Sequence, residues 1–128
     1  MKKLISALPL FVAGLCIVGV SQAGSDVDKQ KSIERGAAHY RIFCINCHGE
    51  KADGHGPLTG LLKIQPSDLT TLRQTTKTGE SISERVFNAV NGRHEVGEGE
   101  EKKMPTFNES LEINTVMEIA DFVEAIQK

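Results

Sequence analysis

The 128-residue chain has no tryptophan, a single tyrosine and five phenylalanines, so aromatic side chains cannot supply the bulk of a core. Nowhere do apolar and polar residues alternate with period two, which excludes a sandwich or barrel of half-buried strands. No segment repeats, which excludes a solenoid. An excess of basic charge is also missing: 15 basic residues face 17 acidic ones, for a formal charge of −2. A chain of this charge has no electrostatic footprint for phosphate backbones, and nucleic acid is not expected as a partner. Cysteine is scarce at three residues. No second pair of spaced cysteines or histidines completes a structural zinc site, and no βαβ pattern flanks the close pair as a thioredoxin-like dithiol would require.

What is present begins with a leader. Met1-Lys2-Lys3 precedes an apolar run from Leu4 to Val20 and then Ser21-Gln22-Ala23, small residues standing where a signal peptidase reads. Residues 1–23 are expected to be a signal peptide and residues 24–128 one mature domain, a length that suits a single core. The run is broken by Pro9 and Gly14 and falls short of the roughly 20 residues of a comfortable membrane span. A retained anchor is the second reading. Cys16 follows Leu15, where a lipoprotein signal requires a small residue, and it reads as part of the apolar leader. Residues 1–23 hold two of the basic residues and no acidic one, so the mature chain carries a formal charge of −4.

The mature region reads as all-α, a few short helices joined by long loops. Ile33, Ala37, Tyr40 and Cys44 share a stripe at helical spacing, predicting a first helix from about Lys29 to Phe43. Between Gly49 and Gly60, four glycines and Pro57 mark a loop. Pro66-Ser67-Asp68 predicts a capped short helix through Leu72. Ser81-Ile82-Ser83-Glu84 has capping-box spacing and predicts a helix ending at Asn91-Gly92. The stretch from Arg93 to Lys103 is a charged loop. Val116, Ile119, Ala120, Val123 and Ile126 predict a last helix from about Asn114 to Gln127. Loops of this extent seldom pack without a staple or a large buried ligand.

Cys44-Ile45-Asn46-Cys47-His48 is the c-type haem attachment pentapeptide. Two thiols three residues apart can add to the two vinyl groups of a haem, and the histidine after the second can ligate iron. One covalently attached haem c is therefore the expected cofactor, and export would take the chain to the compartment where bacterial haem attachment occurs.

At this point the chain resembles a class I c-type cytochrome, a bacterial monohaem member similar to the subgroup related to cbb3-type oxidase haem subunits. The likeness covers about Ile33 to Ile126. Gly36 and Tyr40 stand eight and four residues before Cys44, like the family's small and aromatic positions on the first helix, and Ile119 and Phe122 match its last-helix positions. The resemblance implies the cytochrome c fold, about four short helices and long loops around one haem, with the first and last helices crossing at the glycine. Met104-Pro105-Thr106-Phe107 resembles the motif of the second axial ligand, so His48 and Met104 are the expected metal ligands. His39, His55 and His94 are the alternatives to Met104, His94 foremost because it lies on the loop leading there. Met117 is expected to pack in the last helix. Pro57 is expected to accept the His48 N–H through its carbonyl, a bond that would fix the ring and tune its basicity. Arg73, Lys63 and Gln65 are candidates for the propionates.

With both axial positions filled, no small-molecule substrate reaches iron, and the expected role is not enzymatic. The chain is expected to be a periplasmic carrier of single electrons between transient redox partner proteins, in a respiratory chain. The alternative is a haem-bearing subunit, or a membrane-anchored module, of an oxidase or reductase complex; membrane contact is expected only if the leader is retained. Leu58, Leu61, Leu62, Ile64, Val86, Val90 and Phe107 are expected to wall the haem, and Glu95, Glu98, Glu100 and Glu101 to line a solvated acidic loop beside Lys102 and Lys103.

Overall fold

The computed structural model describes residues 23–93, 104–107 and 110–128. The leader with Cys16, His94 and the acidic loop of Glu95, Glu98, Glu100 and Glu101 beside Lys102 and Lys103 lie outside the described residues. Among the described residues every regular element is helical, as the cytochrome c fold requires: α1 (Ala23–Phe43), α2 (Ile45–His48), α3 (Leu72–Thr75), α4 (Ile82–Val90) and α5 (Ile113–Ala125), with 3-10 turns at Thr59–Leu61 and Leu69–Thr71. No described helix is long and apolar enough to cross a membrane.

The α1 helix begins six residues before the start its apolar stripe predicts. Its first turns carry polar residues, and their support comes from α5. Lys29 Nζ meets Asp121 at 2.6 Å and Glu124 at 3.7 Å, and the Ser32 hydroxyl donates to Asp121 at 2.5 Å. Burial alone would raise the Asp121 carboxyl, but the bonds from Lys29 and Ser32 and the Lys29 charge together hold it below the usual carboxylate range.

Farther along, α1 and α5 cross at Gly36. A Cβ at that position would overlap the carbonyl of Glu118 and touch the Phe122 side chain, so only glycine permits the approach. Tyr40, one turn on, is 2% exposed, and its ring lies 5.2 Å from that of Phe122. Of the residues the resemblance pairs here, Gly36 and Tyr40 both meet Phe122, while Ile119 lies in the buried core. Arg35 Nε donates to Glu118 at 2.6 Å, and His39 Nε2 lies 3.1 Å from the same carboxyl group.

The core gathers behind this crossing, from Leu72, Ile82, Val86, Val90, Val116, Ile119, Ala120 and Val123. Ile82, Val86 and Val90 recur every four residues and so share one face of α4. The Ser81 hydroxyl caps that helix by accepting from the Glu84 amide at 3.0 Å, and α4 ends before Asn91-Gly92 as its sequence predicts. The C-terminus then folds onto the turn after Asp68: the Lys128 amide donates to the Thr70 carbonyl at 2.9 Å.

Candidate functional site

The haem attachment pentapeptide folds as a single turn. The Cys44 amide still donates to the Tyr40 carbonyl of α1 at 2.9 Å, and the His48 amide donates to the Cys44 carbonyl at 2.9 Å. A helical backbone from Cys44 to His48 puts positions i, i+3 and i+4 on one face. Cys44, Cys47 and His48 hold those positions. Both cysteines are free and partly buried.

The loop that follows satisfies the end of α2. A short helix leaves its last carbonyls unpaired, and here the amides of Leu58, Gly56 and Gly54 donate to the carbonyls of Asn46, Cys47 and His48 at 2.9, 3.1 and 2.9 Å. The Thr59 hydroxyl adds a second donor to Cys47 at 3.3 Å. Gly56 is required by proximity, since a Cβ there would overlap the backbone of Asn46 and Cys47. Tyr40 ties this loop to α1 by donating from its hydroxyl to the Gly49 carbonyl at 2.6 Å.

His48 is 9% exposed. Its Nδ1–H donates to the Ser67 carbonyl at 3.0 Å. Burial holds the imidazole below its ordinary pKa, with the Ser67 bond opposing part of that shift, so the ring is neutral at pH 7. A proton fixed on Nδ1 leaves the Nε2 lone pair directed elsewhere, and no described residue bonds to Nε2. A neutral imidazole with one nitrogen anchored to a carbonyl and the other free is the arrangement of a metal-ligating histidine.

Pro57 does not take the place that the family resemblance implied for it. The acceptor at Nδ1 is Ser67, and Pro57 is exposed on the loop. The amides on either side of Pro57 are drawn to Cys47 and Asn46, while the Pro66-Ser67-Asp68 turn brings its own carbonyl to the ring. Asp68 sets that turn. Its carboxylate accepts from the Thr70 amide at 2.8 Å and the Thr70 hydroxyl at 2.6 Å, and these bonds hold it below the usual carboxylate range. The Leu69 amide meanwhile donates to Ala52 in the haem loop at 2.8 Å.

Met104 is half-buried and, like Cys44, packs against the core of α3, α4 and α5. Its segment is secured by the Phe107 amide, which donates to the Val90 carbonyl at 2.8 Å. Of the alternatives to Met104, His39 is engaged by Glu118 at the helix crossing, and the His55 side chain is 75% exposed beside Asp53. Met117, expected to pack, is 42% exposed on α5. Among the propionate candidates, the Gln65 amide donates to the Gly54 carbonyl, whereas Arg73 and Lys63 are exposed.

The expected apolar wall divides. Val86 and Val90 are core residues and Phe107 packs against them, but Leu58, Leu61 and Leu62 are 40%, 83% and 38% exposed. Their loop is tied to α2 through the Leu58 amide, and the three form an exposed aliphatic surface immediately after the pentapeptide.

The chemistry of these residues fits a covalently held haem better than its competitors. Burial, reinforced by neighbouring Cys47, pushes the Cys44 thiol up to about 12, the opposite of the depressed value that makes a redox dithiol reactive. Among the described residues no three His, Cys, Asp or Glu side chains cluster to hold a metal by themselves. What remains is two thiols that could take the vinyl groups of a haem, one imidazole nitrogen that could ligate its iron, and an adjoining apolar surface. No curated protein and no solved structure matches the chain. A family model does, over residues 31–123, from α1 through the pentapeptide to α5. The chain belongs to the family described as cytochrome c oxidase, cbb3-type, subunit III, a class of c-type, haem-binding cytochrome domains.

Proposed function

We propose that the protein is an exported carrier that passes single electrons between redox partner proteins in the periplasm, through a haem c joined to Cys44 and Cys47 and ligated by His48 and Met104. The observation that carries this reading is His48, buried, neutral, anchored at Nδ1 and free at Nε2, directly after the second thiol. Bound there, the haem supplies a one-electron ferric/ferrous couple. His48 offers a nitrogen whose basicity the Ser67 carbonyl sets. Met104 offers a soft thioether that favours the ferrous state and so raises the potential relative to two imidazoles.

A haem held by both His48 and Met104 would leave no place for a substrate on its iron and would supply outer-sphere electron transfer alone. The buried Val86 and Val90, with Phe107 packed against their core, supply apolar surface that would limit water around such a haem. Docking between such partners is brief and small in area.

One visible and near-infrared spectrum of the purified oxidised protein tests the ligation. The weak long-wavelength band of sulfur-to-iron ligation is expected, and the reduced protein should not bind carbon monoxide at neutral pH. Rapid carbon monoxide binding would point to an open site and overturn the carrier reading.

A second reading, a haem-bearing subunit of a respiratory oxidase, is favoured by the family match, whose members are described as an oxidase subunit. Mild detergent extraction separates the two readings. A carrier is released in the soluble periplasmic fraction, and a subunit stays with a membrane complex.

A further inference from the structure

Gln127 lies beyond the end of α5, far along the chain from the pentapeptide, yet its side-chain amide is bonded on both sides. Its Nε2 donates to the Leu69 carbonyl at 2.6 Å and to the Val123 carbonyl at 2.7 Å. Its Oε1 accepts the Arg73 amide at 2.9 Å. One side chain therefore joins the last turn of α5 to both ends of the Leu69–Arg73 segment. Lys128 adds a fourth tie through its amide to Thr70.

The segment so gripped is the one that presents Ser67. Two residues after Ser67, Leu69 is held on one side by the Ala52 carbonyl of the haem loop and on the other by Gln127. Asp68 locks the intervening turn through Thr70. The acceptor is a main-chain carbonyl, so its distance to His48 Nδ1 is set by whatever fixes this turn. Among the described residues, Ala52, Asp68 and the C-terminal pair do so.

We infer that Gln127 is a positioning residue for the proximal ligand: by clamping the Leu69–Arg73 segment it holds the Ser67 carbonyl against His48 Nδ1, and through that bond it adjusts the reduction potential of the iron. The inference rests on the ligation of iron by His48 proposed above. A strong Nδ1–H bond to a carbonyl makes the imidazole a better donor and favours ferric iron. Loosening the clamp weakens that bond and raises the potential.

The test uses the haem-loaded protein. Gln127→Met keeps the length of the side chain and removes its three bonds, while Gln127→Glu keeps the acceptor for Arg73 but sets a carboxylate against two carbonyl oxygens. Both should raise the midpoint potential and speed exchange of the His48 Nδ1 proton with solvent, read by NMR in the reduced state. Lys29→Met, which loosens the distant α1–α5 ion pairs, should lower the melting temperature and leave both readouts unchanged. Lowered stability in the Gln127 variants with wild-type potential and exchange would mean that the residue is only structural, and the inference fails. In the unmodified protein, mild denaturant should remove protection from the Gln127 side-chain amide and the His48 Nδ1 proton together; independent loss counts against the clamp. If His48→Ala leaves the haem spectrum unchanged, the ligation itself is wrong and the inference falls with it, a result separate from a silent Gln127.

Discussion

Gly36 of α1 lies directly against the carbonyl of Glu118 in α5, with no room between them for a methyl group. Any side chain at position 36 must push the two helices apart where Tyr40 stacks on Phe122. Replacing a helix glycine by valine ordinarily gains only roughly 0.5 kcal/mol of helix propensity, but forcing atoms into a packed contact costs roughly 1–3 kcal/mol, and more where backbone must move. Gly36→Val is therefore expected to destabilise the protein by about 2 kcal/mol or more, measured by urea denaturation of the haem-loaded form. Unchanged stability would show that the crossing tolerates separation.

Tyr40 joins this crossing to the haem loop through its hydroxyl bond to Gly49. Tyr40→Phe keeps the ring contact with Phe122 and strands the Gly49 carbonyl, which should cost about 1–2 kcal/mol. A loss confined to the loop would appear as faster amide exchange at residues 49–56, with α1 and α5 protected as before.

Cys44 and Cys47 can be tested separately. Cys44→Ser and Cys47→Ser are each expected to yield protein with one thioether bond, and the double substitution protein from which acid–acetone extraction removes all haem. Mass spectrometry after extraction decides. A single variant that loses all covalent haem would mean that attachment is ordered, with the other thiol dependent on the first.

Met104→Leu should abolish the long-wavelength sulfur-to-iron band, open the reduced iron to carbon monoxide and lower the reduction potential, because the soft donor that favours ferrous iron is gone. Met117→Leu should change none of these. If the Met104 variant keeps the band, the sixth ligand lies elsewhere.

Acid should weaken the fold through two carboxylates. Asp68 and Asp121 are both held below the ordinary carboxylate range in the folded chain, so the folded state binds fewer protons than the unfolded one. Their contributions are complete above the unfolded value of about 4 and are lost as pH falls through the lower folded values. Urea midpoints of the haem-loaded protein should drop between about pH 5 and about pH 3, and Asp121→Asn should flatten that slope. A slope unchanged by the substitution would place the acid sensitivity in other groups.

The parts of this architecture legible in the sequence are those with local causes. The α4 boundaries follow from Ser81, Glu84 and Asn91-Gly92, each acting on its own backbone. The pentapeptide declares its chemistry through residue type and spacing, and Gly36 with Tyr40 foretold the crossing. What escaped depends on distant partners. Lys29, the predicted start of α1, is anchored by Asp121 and Glu124, about ninety residues away, and no stripe within α1 reports them. Leu58, Leu61 and Leu62, expected along the haem, are exposed beside the pentapeptide, and their loop is placed by backbone bonds to α2. The partner of His48 Nδ1 is a main-chain carbonyl, which any residue carries; a proline at plausible spacing therefore attracted the assignment that belongs to Ser67. The cap at Asp68 was the available clue, since it marked where the chain would turn.

The fold-back of the haem loop onto α2 has a stereochemical consequence. A right-handed turn presents Cys44, Cys47 and His48 in a fixed rotational sense, and the amides of Leu58, Gly56 and Gly54 stop that turn from unwinding. A haem held by Cys44, Cys47 and His48 from one side would therefore have its two faces distinguished by the handedness of the backbone.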